Sequence, residues 1–353
     1  MEKAPTIYEV AQLAGVSTAT VSRALTDAHK LRPVTRDRVL TAARELGYVP
    51  SGSARGLAAR RTRVFGLCFP DYGDSEAESS GTTLYSDEVI RGMERAARKS
   101  GYAVLIAASP SDEVADLLLG MAGQTDGLAV LASALPAGLQ QRIRRRVPVV
   151  MLAGRAEPDH VDRACVANTQ GARELTRHLV EDHGLTDTVF LGGPLGSPDS
   201  AERQRGYETA LKSAGLHSRG HLTGDFTEAS GRSAAAGLVG GRLPQALVCA
   251  NDQMAVGAMA QFGESGVRVP ADVAVVGFDD IALARHVAPA LTTVRQPMRR
   301  LGELAVELLQ QRLADPDRPG QAITLPVQLV RRRSCGCGAI AQDQQHAIRP
   351  DAG

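Results

Sequence analysis

IYEVAQLAGVSTATVSRAL, residues Ile7 to Leu25, has the spacing of two short helices joined by a tight turn. Ile7, Val10, Ala11 and Ala14 recur at i, i+3, i+4 and i+7, which places four apolar side chains on one helical face. Gly15 ends that stripe, because a residue without a Cβ enters the left-handed turn conformation without steric cost. Ser17 then reads as the N-cap of a second helix whose own buried face is Val21, Ala24 and Leu25. Thr18, Ala19, Ser22 and Arg23 are left over at or near the start of that helix, on its other side. The first three are short enough to let a helix sit deep in a major groove. Arg23 alone is long, and its fork matches the O6/N7 edge of guanine. The bare pattern fits a helical hairpin without a nucleic-acid role as well, so the flanking sequence has to decide.

Outward from this stretch, Thr35 to Leu46 forms a third amphipathic pattern with Val39, Leu40, Ala43 and Leu46 inward, and Tyr48-Val49-Pro50 leads out of it. The first 63 residues hold 11 Lys and Arg against 5 Asp and Glu, while the whole chain has a net charge of only +1. The remainder is therefore net acidic, and the positive charge is concentrated on one small domain. That asymmetry is the electrostatic footprint of a phosphate-binding head on a soluble body. Between the two lies SGSARGLAARRT, Ser51 to Thr62, with good helix formers interrupted by Gly52 and Gly56, each costing about 1 kcal/mol against Ala in a helix. This linker is expected to be disordered in the free protein and helical on DNA.

At 353 residues the chain can bury two sizeable cores beside the head. After Arg63 short apolar runs alternate with amphipathic stretches. Strands are expected at 64–69, 103–107, 127–131 and 147–152, with helices at 87–100, 111–121 and within 135–146. A second such unit has strands near 164–167, 188–191, 246–250 and 273–276, with helices near 168–183, 200–214, 230–239 and 251–265. The pattern is that of parallel α/β units. The closing stretch (291–294, a helix over 299–313 and a strand over 323–331) is too long for one unit and too short for a third, which implies that the chain crosses back between two lobes. DYGDSEAESSGT, Asp71 to Thr82, reads as a mobile acidic loop, and the end of the chain as a flexible tail.

Several function classes find no support. No window approaches 18 uninterrupted apolar residues and the N-terminus lacks a signal-type apolar segment, so a cytoplasmic protein away from membranes is expected. The sequence shows no phosphate loop, no Gly-x-Ser-x-Gly elbow, and no catalytic pattern among His29, His160, His178 and His183, so it is not expected to be an enzyme or to carry a cofactor. Of five cysteines, Cys68, Cys165 and Cys249 sit in apolar runs. Cys335-Gly336-Cys337 is close enough for metal or redox chemistry, but no accompanying Cys or His pair of zinc-site spacing is found, and no metal is expected.

The head, T-I-Y-E-V-A-x-x-A-G-V-S-x-x-T-V-S-R followed by Tyr48-x-Pro50 and a short segment holding Leu57, resembles that of the LacI/GalR family of repressors. CANDQMAVGAM (249–259), RVPADVAVVGFDD (268–280) and LTTVRQPMRRLGELAVELL (291–309) resemble that family's periplasmic-binding-protein-like core. The likeness runs from about Thr6 to Arg333. It implies an all-α head of three helices plus hinge helix (1–50 and 51–62), joined to a two-lobed α/β core of parallel sheets over 63–333. The expected N-lobe is about 63–163 plus 295–322, the C-lobe about 164–294 plus 323–333, and the tail 334–353.

For function, the resemblance implies a transcriptional repressor that binds a pseudo-palindromic DNA operator as a homodimer or tetramer, under control of a small effector, a carbohydrate being the first candidate. It further implies that Thr18 and Ala19 read bases with Arg23, and that Tyr8, Ser17, Thr20 and Ser22 hold phosphates. Ala54 and Leu57 would act at the central minor groove, with Leu57 as the wedge. Ser51 stands where the family usually has Asn, and both cap helices. In the core it assigns Tyr85, Arg203, Asn251 and Asp279 to the effector. Read without it, Asn251-Asp252 could simply cap a helix, Arg203 could join a surface ion pair, and Asp279-Asp280 could be a solvated turn. The chain departs from the family in the acidic insertion after Pro70-Asp71 and in Gly154-Arg155, where an Asp often stands. Phe226 and Phe278 are further candidate aromatic walls. A solute-binding protein without DNA function is the alternative, but it would need an export signal and no basic head.

Overall fold

The computed structural model describes residues 5–26, 31–48, 61–70, 83–109, 114–131, 138–154 and 161–338. The chain divides into two compact units, Met1–Arg63 and Val64–Gly353.

The first unit contains α1 (Ile7–Ala14), α2 (Thr18–Thr26) and α3 (Pro33–Glu45). Glu9 reaches back to accept from the Thr6 N–H at 2.6 Å, which satisfies an orphan donor at the start of α1. Gly15 follows at φ 61°, the left-handed geometry that lets the chain turn into α2. Ser17 Oγ accepts from the Thr20 N–H at 3.2 Å and so caps α2. Val10, Ala11 and Ala14 close a small core with Val21, Ala24, Val39, Ala42 and Ala43. The third helix starts at Pro33, whose fixed φ suits a first helical position, and it turns Ala42 inward while Leu40 and Leu46 are only half-buried. The linker residues 51–60, including Ser51, Ala54 and Leu57, lie outside the described residues, as does the 71–82 insertion.

The second unit has two lobes. The first begins β1 (Val64–Pro70), α4 (Thr83–Lys99), β2 (Ala103–Ser109), α5 (Val114–Gln124), β3 (Gly127–Leu131), α6 (Leu139–Arg144), β4 (Val149–Leu152) and β5 (Asp162–Val166). The second contains α7 (Asn168–Glu181), β6 (Thr188–Gly192), α8 (Pro198–Ser213), β7 (Gly220–Thr223), α9 (Glu228–Val239), β8 (Ala246–Cys249), α10 (Asp252–Glu264) and β9 (Ala274–Val276). Then come β10 (Thr293–Arg295), α11 (Met298–Ala314), β11 (Ala322–Leu325) and β12 (Gln328–Val330). One parallel sheet has the order β11-β5-β4-β3-β1-β2 and the other β7-β6-β8-β9. β3 and β4 are buried almost throughout, as befits parallel strands covered on both faces.

The six-stranded sheet carries one core beneath α4 and α11 and another beneath α5 and α6. α4 and α11 come together at Gly92 and Gly302, where an added Cβ would lie 2.0 Å from Arg299 O and 2.1 Å from Val89 O respectively. Only glycine fits at both places.

The lobe boundary needs correction. The strand read near 164–167 belongs to the first sheet, so the first crossing falls after β5 rather than at 163. The stretch read as one strand over 323–331 is two: β11 completes the first sheet, and β12 pairs antiparallel with β10. An apolar run marks a buried strand but carries no address. The chain thus crosses between lobes three times, near Ala167, Gln296 and Pro326, and the Ala167 N–H donates to Leu325 O at 3.0 Å to tie two crossings together. The tail boundary moves as well. Ser334 and Cys335 are buried, at 0% and 3% exposure, and Ser334 Oγ donates to Val275 O at 2.5 Å.

Candidate functional site

In the head, the packing that buries Val21 and Ala24 turns the opposite face of α2 outward. Ser17, Ala19 and Arg23 are exposed and Thr18, Thr20 and Ser22 half-buried, while Tyr8 on α1 is 74% exposed. The Ser17 and Thr20 hydroxyls lie 2.9 Å apart, so the cap and the expected phosphate contacts draw on the same groups.

The second unit holds a cleft of about 630 Å³ between its lobes, part of it open to solvent. Its position follows from the topology. Phe69, Leu131 and Ala153 stand at the carboxyl ends of β1, β3 and β4, and Ser197, Phe226, Asn251 and Asp279 in the loops after β6, β7, β8 and β9. Ligands in open parallel α/β sheets gather at those ends, where the chain must turn and side chains converge. Tyr85 from the first turn of α4 and Arg203 from α8 complete the lining.

Arg203 is 4% exposed and held on every side. Its Nε donates to Asn168 Oδ1 at 2.8 Å and Nη1 to Ala250 O at 2.6 Å, with Nη1 3.3 Å from Asp279 Oδ1. Its guanidinium lies 4.0 Å from the centroid of the Phe278 ring. Phe278, considered above as a wall, is therefore a buried support beneath the arginine, whereas Phe226 does face the cleft. Arg203 is no surface ion-pair member.

Asp279 is equally buried and also accepts from Gln296 Nε2. Its backbone at φ 125° is fixed by the Asp279 N–H to Val294 O bond of 2.8 Å. Burial pushes its carboxyl up to about 6 against the pull of Arg203. Asp280 instead points away, accepting from Arg295 at 2.6 Å and Arg332 at 2.5 Å, and Asp252 accepts from the Ile281 N–H at 2.9 Å and Thr293 Oγ1 at 2.5 Å. Both are structural carboxylates. Asn251 spends its Oδ1 on capping α10, accepting from Met254 N–H at 3.0 Å, and its Nδ2 donates to Phe226 O at 2.9 Å. The helix-capping reading of Asn251 thus holds alongside its place in the cleft.

Sequence reasoning missed three participants. Asn168 donates to Asp199 Oδ1 at 2.8 Å while accepting from Arg203, which makes Asp199, Asn168 and Arg203 one chain of hydrogen bonds. Burial raises the Asp199 carboxyl, again against Arg203. Gln253 Nε2 is a buried donor in the lining with no protein acceptor. The wall therefore offers carboxylate acceptors, a guanidinium and an unused amide donor, opposite the aromatic faces of Phe69 and Tyr85. Such a surface satisfies a small molecule that combines hydroxyls with an apolar face. Among the described residues no helix is long and apolar enough to cross a membrane.

Residues 6–51 match the family described as bacterial regulatory proteins, lacI family, and residues 176–335 the periplasmic binding protein-like domain. The HTH-type transcriptional repressor PurR of Vibrio campbellii is 31% identical over 337 residues, spanning 93% of this chain and 98% of its own. PurR of Proteus mirabilis is 33% identical over 94% of this chain and 97% of its own. Among solved structures, the lac repressor dimer bound to operator and the anti-inducer ONPF matches with a TM-score of 0.81 at 28% identity, covering 94% of this chain and 99% of that one. The complex of the transcriptional regulator CelR with cellobiose matches at 0.70 and 30% identity, with the same coverage.

Proposed function

Since this chain belongs to the lacI family of bacterial regulatory proteins, we propose that it is a cytoplasmic transcriptional repressor, not an enzyme, whose hold on operator DNA is set by a carbohydrate bound in the interlobe cleft. The observation that carries the effector reading is the convergence of Asp279, Arg203 and Gln253 on one wall, faced by Phe69 and Tyr85 from the other lobe. Ring hydroxyls would bond the carboxylate, the guanidinium and the free amide proton, and the apolar face of the sugar would lie on the aromatics. The cellobiose bound by CelR is of that chemistry.

On the DNA side, two copies of the chain would present α2 to successive major-groove faces of a pseudo-palindrome. Thr18, Ala19 and Arg23 would meet base edges, Tyr8, Ser17, Thr20 and Ser22 the phosphates, and Ala54 and Leu57 of the paired linkers the minor groove between half-sites. Coupling of about 1–3 kcal/mol between cleft and head would change operator affinity roughly 5- to 150-fold.

The test is to recover operator fragments from the genome by gel shift with the full-length protein. Calorimetry against a panel of mono- and disaccharides follows, with and without that DNA. Binding of a sugar that shifts DNA affinity, and whose own affinity DNA shifts by the same factor, is the expected result. Sugar binding that ignores bound operator would refute the allosteric reading, and failure of every sugar would refute the ligand class.

A further inference from the structure

The last described residues of the chain turn back onto the second lobe and complete a cluster that shares no residue with the cleft lining. His178 lies in the last turn of α7 and His183 just beyond it, while Cys335 and Cys337 sit on the turn that follows β12. His178 Nε2 is 3.2 Å from His183 Nε2, 3.4 Å from Cys335 Sγ and 3.5 Å from Cys337 Sγ. His183 Nε2 is 3.4 Å from Cys337 Sγ, and the four donor atoms all lie within 4.8 Å of one another. Zinc at tetrahedral bond lengths of about 2.3 Å to sulfur and about 2.0–2.1 Å to nitrogen separates its ligands by roughly 3.3 Å between nitrogens and roughly 3.5 Å between nitrogen and sulfur. Four of the six separations thus already match those around such an ion, and the other two are within 4.8 Å.

We propose that His178, His183, Cys335 and Cys337 form a zinc site of the two-thiolate, two-imidazole class. A tetrahedral set of two soft sulfurs and two imidazoles selects zinc over the oxygen-seeking cations. Each thiol releases its proton to solvent as its bond to zinc forms. The surroundings are those of a supported metal centre. His178 Nδ1 lies 2.7 Å from Asp182 Oδ2, a contact that orients the ring so that Nε2 faces the cluster, and Arg331 stands 3.3 Å from the same oxygen. Thr292 Oγ1 is 3.1 Å from Cys335 Sγ. Gly336, at φ 102°, makes the sharp turn that brings both cysteines to one side. Zinc here would clamp residues 331–338 to the end of α7, beside the third crossing between the lobes. The sequence reading, which finds no pair to accompany the cysteines, overlooks His178 and His183: their H-x4-H spacing is that of the histidine half of a zinc site, but it stands far upstream.

The test uses the full-length chain purified under reducing conditions without chelator. One zinc per chain by elemental analysis is expected, together with an intense tetrahedral ligand-field spectrum carrying sulfur-to-metal charge transfer after cobalt exchange. Cys337→Ser and His183→Gln, at half-buried positions, should each weaken zinc at least tenfold in chelator competition while circular dichroism stays native. Asp182→Ala, which removes only the orienting carboxylate, should weaken it about 10–100-fold. His217→Ala, at an exposed residue, should leave it unchanged. A reduced protein that takes up no stoichiometric zinc overturns the proposal, as does a cobalt spectrum of octahedral type or one indifferent to Cys337→Ser and His183→Gln. Should either variant fail to fold, the cobalt spectrum of the unmodified chain decides alone.

Discussion

In the head, Ala19 and Arg23 stand exposed on a helix whose other face is packed, whereas in the cleft Arg203 and Asp279 are each 4% exposed, paired with one another, and together bound to three further segments of chain at Asn168, Ala250 and Gln296. The first arrangement lets a functional side chain be exchanged without disturbing the scaffold. The second makes the functional side chains part of the scaffold, so that removing one leaves the charge or hydrogen-bonding capacity of its partners unmet. On the proposed reading the head could therefore change its preferred sequence residue by residue. The cleft, on the same reading, could change its ligand only by replacing several groups together, with the non-additivity that coupled neighbours show.

That contrast is sharpest for Asp279→Ala. It takes away the carboxylate beside the buried Arg203, and effector affinity should fall by about 2–5 kcal/mol, enough to erase the response. Operator binding without effector should persist, and calorimetry paired with gel shifts separates the two. If effector-free operator binding fell equally, Asp279 would be upholding the fold of the body rather than holding the effector.

Arg23→Ala comes next, with an expected loss of about 1–3 kcal/mol and relaxed specificity at one base position in each half-site. Selection from randomised operators would reveal it. Uniform loss at all positions would make Arg23 a phosphate contact instead.

Acidity should act on the cleft with two opposite signs. Because burial raises the Asp279 carboxyl from 3.8 to about 6, despite Arg203 and with Asp199 reinforcing the rise, it becomes protonated as pH falls through that value. The nearby Asp252 is driven up by burial and by the charge of Asp279 itself. Effector affinity that relies on the ionised Asp279 should then drop by up to about tenfold per pH unit below 6. Stability of the ligand-free body should move the other way. Between about 4 and 6 the folded state holds a proton that the unfolded chain has lost, so ionisation on raising the pH through this window weakens folding. Calorimetry and thermal melts from pH 5 to 7.5 would show the crossing trends, and parallel ones would remove Asp279 from the binding step.

The smallest effect belongs to Ser17→Ala. Loss of the α2 cap should cost the head about 1 kcal/mol, seen as faster amide exchange in α2 with the body unchanged. A body that also loosened would break the comparison from the other side.

The head could be read from sequence because its determinants are local. A stripe at helical spacing, a glycine and a cap fit within Ile7 to Leu25, and the neighbours that bury Val10 and Val21 are themselves helical. The strands of the body were legible for the same reason, from runs such as 127–131 and 246–249. β7 was missed because Gly-His-Leu-Thr over 220–223 is short and half polar, an edge strand that its partner β6 defines more than its composition does. Asp199 is an acid in the first turn of α8, just before the helix read over 200–214. Nothing near it in sequence announces that Asn168 will reach it and pass the contact on to Arg203. His178 and His183 were hidden from Cys335 in the same way, since only the return of the chain after β12 brings them together. Family resemblance singled out Arg203, Asn251 and Asp279, but it could not say that Asn251 would also be occupied as a cap.

Asp279 does more than line the cleft. Its N–H donates to Val294, its carbonyl accepts from the Gln296 N–H at 3.4 Å and its carboxylate from the Gln296 side chain, so it is laced to the strand that makes the second crossing and leads into α11. In mechanical language this residue grips from the fulcrum. Were the lobes to pivot about these crossings, Asp279 would be displaced little, whereas Tyr85 and Phe69 on the opposite lobe would travel along the arc. A ligand's chemistry would then be registered by the part that moves least, and its bulk by the part that moves most. Two effectors with identical hydroxyls and different girth should therefore bind with similar anchoring at Asp279 yet set the gap between the jaws to different widths.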